Sequence, residues 1–311
     1  MPNVKHSFTS GKTDGGDATL VQPSNWNAEH VVDQYLDIPD VVTPAAPSAG
    51  WLRMFAKTRA ARATLNSIGP SGVDVAYQPA IFGNTIMLWL PSATTAQTAF
   101  GITYTARNNG TGAAQDTPAR ASTNAMTSLS RARFGTGTTA SGASGTQTAA
   151  TAAWRGNSAS LGGFFFFARF GVETLAADQR MMIGLSANNA TMAADASTWA
   201  NTCALVKDSA DSTWQFATRN ASLGTKTPSG ATVTTGQILD LYMFAPPNNS
   251  ATIYVRLVDV ITGTIYMDDV AVTSNIPVNT AFMYMQAHTQ SVSGTTAKLF
   301  AVNKMYLEQD L

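Results

Sequence analysis

The chain has 311 residues and a mass of 32.7 kDa, enough for one large domain or two moderate ones. Its 19 Lys and Arg balance 19 Asp and Glu, and charged residues make up only 12% of the chain, about half the usual share. That balance argues against a general nucleic-acid binder, which needs a basic field to displace counterions, and against an electrostatically held membrane-surface protein.

Fourteen Phe, 8 Tyr and 6 Trp supply a core, so disorder of the whole chain is not expected. A monomer this thin in charge is poorly protected against association. Either Ser, Thr and Asn dress its surface, or an assembly buries much of it. A single cysteine, Cys203, rules out an intramolecular disulfide and cysteine-type zinc clusters; its neighbours Ala204, Leu205 and Val206 mark it as a small buried hydrophobe. No apolar run approaches the ~18 residues of a membrane-spanning helix. The stretch from Lys5 to Asp17 is polar and has no signal-peptide core. A protein kept in a reducing cytoplasm, or leaving it without secretion, is expected.

In chain order, residues 1 to about 50 are punctuated by Gly11, Gly15, Gly16, Pro23, Pro39, Pro44 and Pro47. Such a segment buries little by itself and reads as an extended arm ordered on something else. Trp26, set among turn formers, is its natural anchor, or else it folds back onto its own hairpin. From Trp51 the chain alternates and then runs from Arg62 to Ile68, which predicts a β-hairpin; a short helix over Arg53 to Arg62 is the alternative. Arg53, Lys57, Arg59 and Arg62 form a cation cluster, better read as a solvated strand face, or as partners for acids of a neighbouring subunit, than as a phosphate site. After Pro91 period-two patterns dominate. Strands are predicted at Thr98 to Arg107, Phe164 to Val172, Met181 to Ser186, Thr213 to Arg219, Ile238 to Ala245, Thr252 to Asp259, Gly263 to Met267, Ala281 to Ala287 and Ala297 to Leu307. Gly135 through Ala153 is low-complexity Gly, Thr, Ala and Ser, either a long surface loop or Thr-rich strands on an exposed face. Many short strands with turn signals between them predict a mainly β chain built on an antiparallel sandwich or jelly roll.

Catalytic chemistry is sparse. Gly135-Thr136-Gly137-Thr138-Thr139-Ala140 matches a dinucleotide-binding pattern on paper, but Ser141 to Gly145 cannot form the helix that must meet the pyrophosphate. His6, His30 and His288 are scattered without metal-ligand spacing, and Asp14-Gly15-Gly16-Asp17 lacks the further oxygen ligands of a calcium loop. Glu173 with Asp178, Asp208 with Asp211, and Asp268 with Asp269 are the carboxylate pairs available for glycoside hydrolysis, each in a turn or at a strand end. No catalytic residue, metal or cofactor is assigned. Trp199, Trp214, Tyr242, Tyr254 and Tyr284 are candidates to stack on sugar faces, although strand-phase aromatics mostly fill the sandwich interior.

Three stretches carry a resemblance to the tail-fibre and appendage proteins of tailed bacteriophages. The first is His6 to Lys12 with D-A-T-L-V-Q-P-S-N-W-N-A-E-H over Asp17 to His30. The second runs from Thr43-Pro44 to Gln78-Pro79-Ala80, and includes Pro47-Ser48-Ala49-Gly50, Leu52 to Ala56 and Gly69 to Asp74. The third joins Phe164 to Phe170, L-Y-M-F-A-P-P-N-N over Leu241 to Asn249, and Met305 to Glu308. The resemblance implies a virion protein assembled in the host cytoplasm as a homotrimeric fibre or spike. Residues 1–83 would form a virion-attachment region with an extended arm and hairpin, with Trp26 and His30 as docking residues. Residues 84–311 would form a jelly-roll-like β-sandwich meeting a host surface glycan or protein, with no nucleic-acid partner and no membrane insertion. It fixes no receptor-binding residue. A capsid decoration or head fibre, or a polysaccharide depolymerase, are the alternatives.

Overall fold

Alternating apolar positions decide which way each strand faces, and the computed structural model of the chain shows two antiparallel sheets closed over the side chains so selected. It describes residues 3–4, 13, 15–16, 30–31, 38–70, 74–76, 84–91, 96–99, 102–157, 162–246 and 251–310. The early strands are β1 (Asn3–Val4), β2 (His30–Val31), β3 (Arg53–Arg59), β4 (Arg62–Ile68), β5 (Asp74–Ala76), β6 (Asn84–Trp89), β7 (Ala96–Ala99), β8 (Ile102–Ala106) and β9 (Ala114–Asp116). One helical turn, α1 (Ala125–Ser128), precedes β10 (Ala132–Gly135), β11 (Ala143–Thr148), β12 (Ala153–Trp154), β13 (Phe164–Thr174), β14 (Gln179–Ser186), β15 (Thr202–Lys207) and β16 (Thr213–Arg219). The chain continues through β17 (Gly224–Thr232), β18 (Ile238–Ala245), β19 (Ile253–Asp259), β20 (Ile265–Val272), β21 (Phe282–Ser291) and β22 (Leu299–Asp310).

Two units result, one of residues 1–57 with 65–76, the other of residues 58–64 with 77–311. In the first, β1 pairs with β2, and the order β3-β4-β5 builds a three-stranded sheet. Ala60 and Ala61, at φ 51° and 59°, turn β3 into β4 with the left-handed pair of a type I′ turn. The hairpin reading is the observed one.

The second unit is the sandwich. Sheet one has the order β20-β19-β18-β13-β22-β10-β9, with β6 also on β22; sheet two has the order β17-β16-β15-β14-β21-β11-β8-β7, with β12 also on β21. Period two is plain in β19, where Ile253, Val255 and Leu257 are wholly buried and the residues between them are not. The shared core is aromatic at its centre: Phe170 meets Trp214 edge-on at 5.4 Å and Phe300 at 5.8 Å, while Trp89 lies 6.4 Å from both Tyr104 and Phe134. Cys203 sits fully buried in this core, and burial pushes its thiol pKa up. The low-complexity stretch is neither a loop throughout nor an exposed face: β11 lies inside sheet two, between β8 and β21, with all six residues buried. One edge strand of each sheet is blunted. β17 carries Pro228 and Gly230 (φ 80°), and β20 carries the Asp268–Asp269 bulge with Asp269 at φ 50°.

Candidate binding surface

On the face of sheet two turned away from the core, the segment 187–201 lies as a cover. Its Met192, Ala196 and Trp199 pack on Met182, Ala204, Val206 and Ala217. Burying Met192 and Trp199 is worth roughly 3–6 kcal/mol together, so the cover is fixed. Asp195 caps its short turn, accepting the Ser197 N–H at 3.0 Å, and pairs with Lys226 at 2.9 Å; Lys226 also reaches Asp211 at 2.9 Å.

Beside this cover lies a row of amides and one histidine. Asn189 Oδ1 accepts from Arg107 and, at 2.6 Å, from Gln147 Nε2. Gln286 Nε2 donates to the Ser186 carbonyl at 3.2 Å, so its Oε1 is left to accept from His288 Nε2 at 2.9 Å. That assigns His288 the Nε2–H tautomer, with Nδ1 unpaired and buried. Trp199 stands edge-on to the imidazole at 5.8 Å. Gly145 lies opposite His288 in the β11–β21 register, and a Cβ there would collide with the ring and with the Ala287 carbonyl. Burial first, and then the Arg107 charge, push the His288 pKa down to about 3, so the ring is neutral. Gln147, Gln286 and His288 are buried, while the Asn189 end of the row reaches solvent.

Farther along the same face of β21 the cover ends. Phe282 pairs in register with Trp154, and Tyr284 with Ser186, which places the three aromatic residues on one face. The Phe282 ring stacks on Trp154 at 5.8 Å and 29°, yet Phe282 remains 57% exposed. Trp154 is fixed from several sides. Its Nε1 donates to the Asn279 carbonyl at 2.6 Å, its backbone N–H to Gln309 Oε1 at 2.6 Å, and its carbonyl accepts from Gln309 Nε2 at 3.1 Å. A Cβ on Gly162 would lie 3.0 Å from the indole, so the chain passes directly against it.

The outward face of sheet one carries Phe165, Phe167 and Tyr242, with Tyr242 4.9 Å from Phe167 and 6.4 Å from Phe165. Arg169 grips Asp240 through two bonds of 2.7 and 2.8 Å, and burial with the adjacent Asp240 charge raises the Tyr242 pKa. Arg62, the first residue of β4, forks onto the wholly buried Glu308 at 2.8 Å twice and lies 4.9 Å above the Phe165 ring. Ala60 donates its N–H to Asp269 Oδ1 at 2.5 Å.

The remaining candidates separate. Trp214 is core, Trp199 lies in the cover, Tyr242 and Tyr254 are half-buried on sheet one, and Tyr284 borders the open rings of sheet two. The cations have partners within this chain: Arg53 on the Ala45 carbonyl, Lys57 on Thr43, Arg59 on Thr64 and Arg62 on Glu308. Each acid of the three candidate pairs is held by a basic side chain of the same chain. Glu173 is bound by Arg131 and Arg133, Asp178 by Lys298, Asp208 by Arg180, Asp211 by Lys226, and Asp268 and Asp269 by Arg256. Trp26 lies outside the described residues, and His30 is described through its backbone alone, opposite Val4 in the β1–β2 pair. Sequence reasoning passed over Trp154 and Phe282; the Phe282-x-Tyr284 alternation at the start of a predicted strand was the available signal.

Neither a family model nor a curated protein matches the sequence. Among solved structures, the fold is similar to a protein of unknown function from Shewanella oneidensis MR-1, at TM-score 0.51 and 12% identity, covering 73% of this chain and 87% of that one. Looser superpositions reach arcelin-5, a lectin-like defence protein of Phaseolus vulgaris (TM-score 0.44, 9% identity, 74% and 99% covered), and peanut lectin (TM-score 0.42, 7% identity, 73% and 97% covered). At these identities the likeness is one of fold.

Proposed function

We propose that the chain is a structural attachment protein of a tailed bacteriophage. It is seated in the particle through its N-terminal unit, assembled as a homotrimer, and presents the sandwich to the host surface. The observation that carries this reading is where large apolar side chains meet water. Val42 is 89% exposed, Trp51 72%, Leu52 57% and Met54 54%, all in the N-terminal unit, where Trp51, Leu52 and Arg53 also line a hollow with Pro47 and Ser48. Exposed apolar residues around such a hollow support a surface that another protein covers, although the sandwich also exposes Leu90, Leu223, Ile261 and Phe282. The blunted edges at β17 and β20 support it too, since they disfavour association through those two strands.

The reading is tested on purified phage particles. Mass spectrometry should find the chain in stoichiometric amount, and the Trp51→Ser, Leu52→Ser double variant should fold yet fail to enter particles. Absence of the chain from particles overturns the proposal. The trimer is tested by sedimentation of the full chain; a stable monomer at micromolar concentration removes that part.

A further inference from the structure

We infer that the stacked Trp154–Phe282 pair, bordered by Tyr284, is the site at which the sandwich takes a neutral hexopyranose; this deepens the attachment reading and rests on it. A pyranose presents a patch of C–H groups on one ring face and hydroxyls around its rim. An aromatic ring with one free face, held rigidly among neutral hydrogen-bonding groups, is the complement to both features.

Phe282 meets that description. One face of its ring rests on Trp154 while the residue stays 57% exposed. The support beneath is locked by the indole bond to the Asn279 carbonyl and the two Gln309 bonds, so little ordering remains to be done on binding. Three other aromatics outside the core are engaged: Phe165 by Arg62, Phe167 by Lys304 and Tyr242, and Trp199 by His288.

The surroundings select the ligand's charge. From Ala149 to Trp154 and from Val278 to Tyr284 no side chain is ionised at neutral pH. Arg155, next in the chain, is only 6% exposed and gives its Nε to the Pro277 carbonyl at 3.0 Å. In these two stretches Thr151 is exposed and Tyr284 lies on the face of Phe282, so each can offer a hydroxyl group to a sugar's rim. A site so built favours a neutral sugar over a uronic or sialic acid, which would seek a cation.

The test uses the full chain and saturation-transfer NMR with methyl glycosides of glucose, galactose, N-acetylglucosamine and glucuronic acid. At least one neutral glycoside is expected to bind in the millimolar range. Phe282→Ala should weaken it by about tenfold or more, and Phe282→Trp should keep it. Phe282→Ala loses only the stack on Trp154, so its thermal midpoint should fall by no more than a few degrees and leave the chain folded in the assay, which separates a binding loss from a folding loss. Binding of none of the neutral glycosides, equal binding of the glucuronide, or full affinity in Phe282→Ala overturns the site. A second arm adds parent and Phe282→Ala chains as competitors of phage adsorption. If both block equally, the site is wrong and the attachment reading stands; if neither blocks, the attachment reading itself falls.

Discussion

His288 and Asp178 both make the sandwich sensitive to acid, in separate pH windows. His288 holds a folded pKa of about 3 against an ordinary 6.5, because burial and then Arg107 disfavour its cation. Between those values the unfolded chain binds a proton that the folded chain refuses. Stability therefore falls with acidification from about pH 6.5 downward, by up to about 1.4 kcal/mol per pH unit. Urea midpoints measured from pH 7 to 4 should show this slope, and His288→Gln should flatten it. At Asp178, desolvation works to raise the pKa, but the Gly294 N–H, the Lys298 ammonium and the Ser293 N–H outweigh it and hold it at about 2. That stabilisation is complete above the unfolded value of 3.8 and is lost as the pH falls toward 2. Asp178→Ala at pH 7 should cost about 2–3 kcal/mol, because Lys298, 1% exposed, is left without its anion. At this scale the sequence was partly legible. The neighbours of Cys203 disclosed its burial, since an apolar run has no polar face to offer. Phe282 stayed hidden, because its exposure depends on where the 187–201 cover stops, and no local pattern encodes that.

The β3–β4 turn keeps two alanines where glycine or asparagine is usual. Ala60 is completely buried and donates to Asp269, so its methyl group is part of the packing; Ala61 is exposed and carries the left-handed strain without return. Ala61→Gly should raise stability by about 0.5–1 kcal/mol, read as a shift of the thermal midpoint, and Ala60→Gly should gain less because a buried methyl is lost. Strands differed sharply in how plainly the sequence announced them. β19 is readable because its inner positions are aliphatic and its outer ones include Tyr254 and Arg256. β11, Ala-Ser-Gly-Thr-Gln-Thr, carries no such contrast. It is buried on both faces because Tyr104 and the core lie on one side and the His288 row on the other, an environment made by distant segments. β15 was missed for a related reason: Thr-Cys-Ala-Leu-Val-Lys is covered on both faces, so period two vanishes.

For the molecule as a whole, the balance of 19 cations and 19 anions takes a local form. In the sandwich, arginines such as Arg62, Arg169 and Arg180 are committed to acids of the same chain, and the proposed assembly through the N-terminal unit would draw on apolar area. Assembly of the full chain is therefore expected to persist, or strengthen, between 0.05 and 1 M NaCl (about 14 to 3 Å of screening length), and sedimentation at both salts checks this. Dissociation at high salt would point to charge pairing between copies instead. The sandwich class was legible from many short strands, whereas the sheet order was not, since it rests on pairings such as β13 with β22 that span more than a hundred residues. That order has a consequence for synthesis. The last two strands of the sandwich to leave the ribosome, β21 and β22, occupy interior places in the two sheets, each flanked on both sides by strands made earlier. Until residues 282–310 emerge, β13 and β14 each wait with one side open, and neither sheet can close. A chain cut before residue 282 would keep those sides bare and be open to proteolysis, so the sandwich closes only once its last two strands are in place.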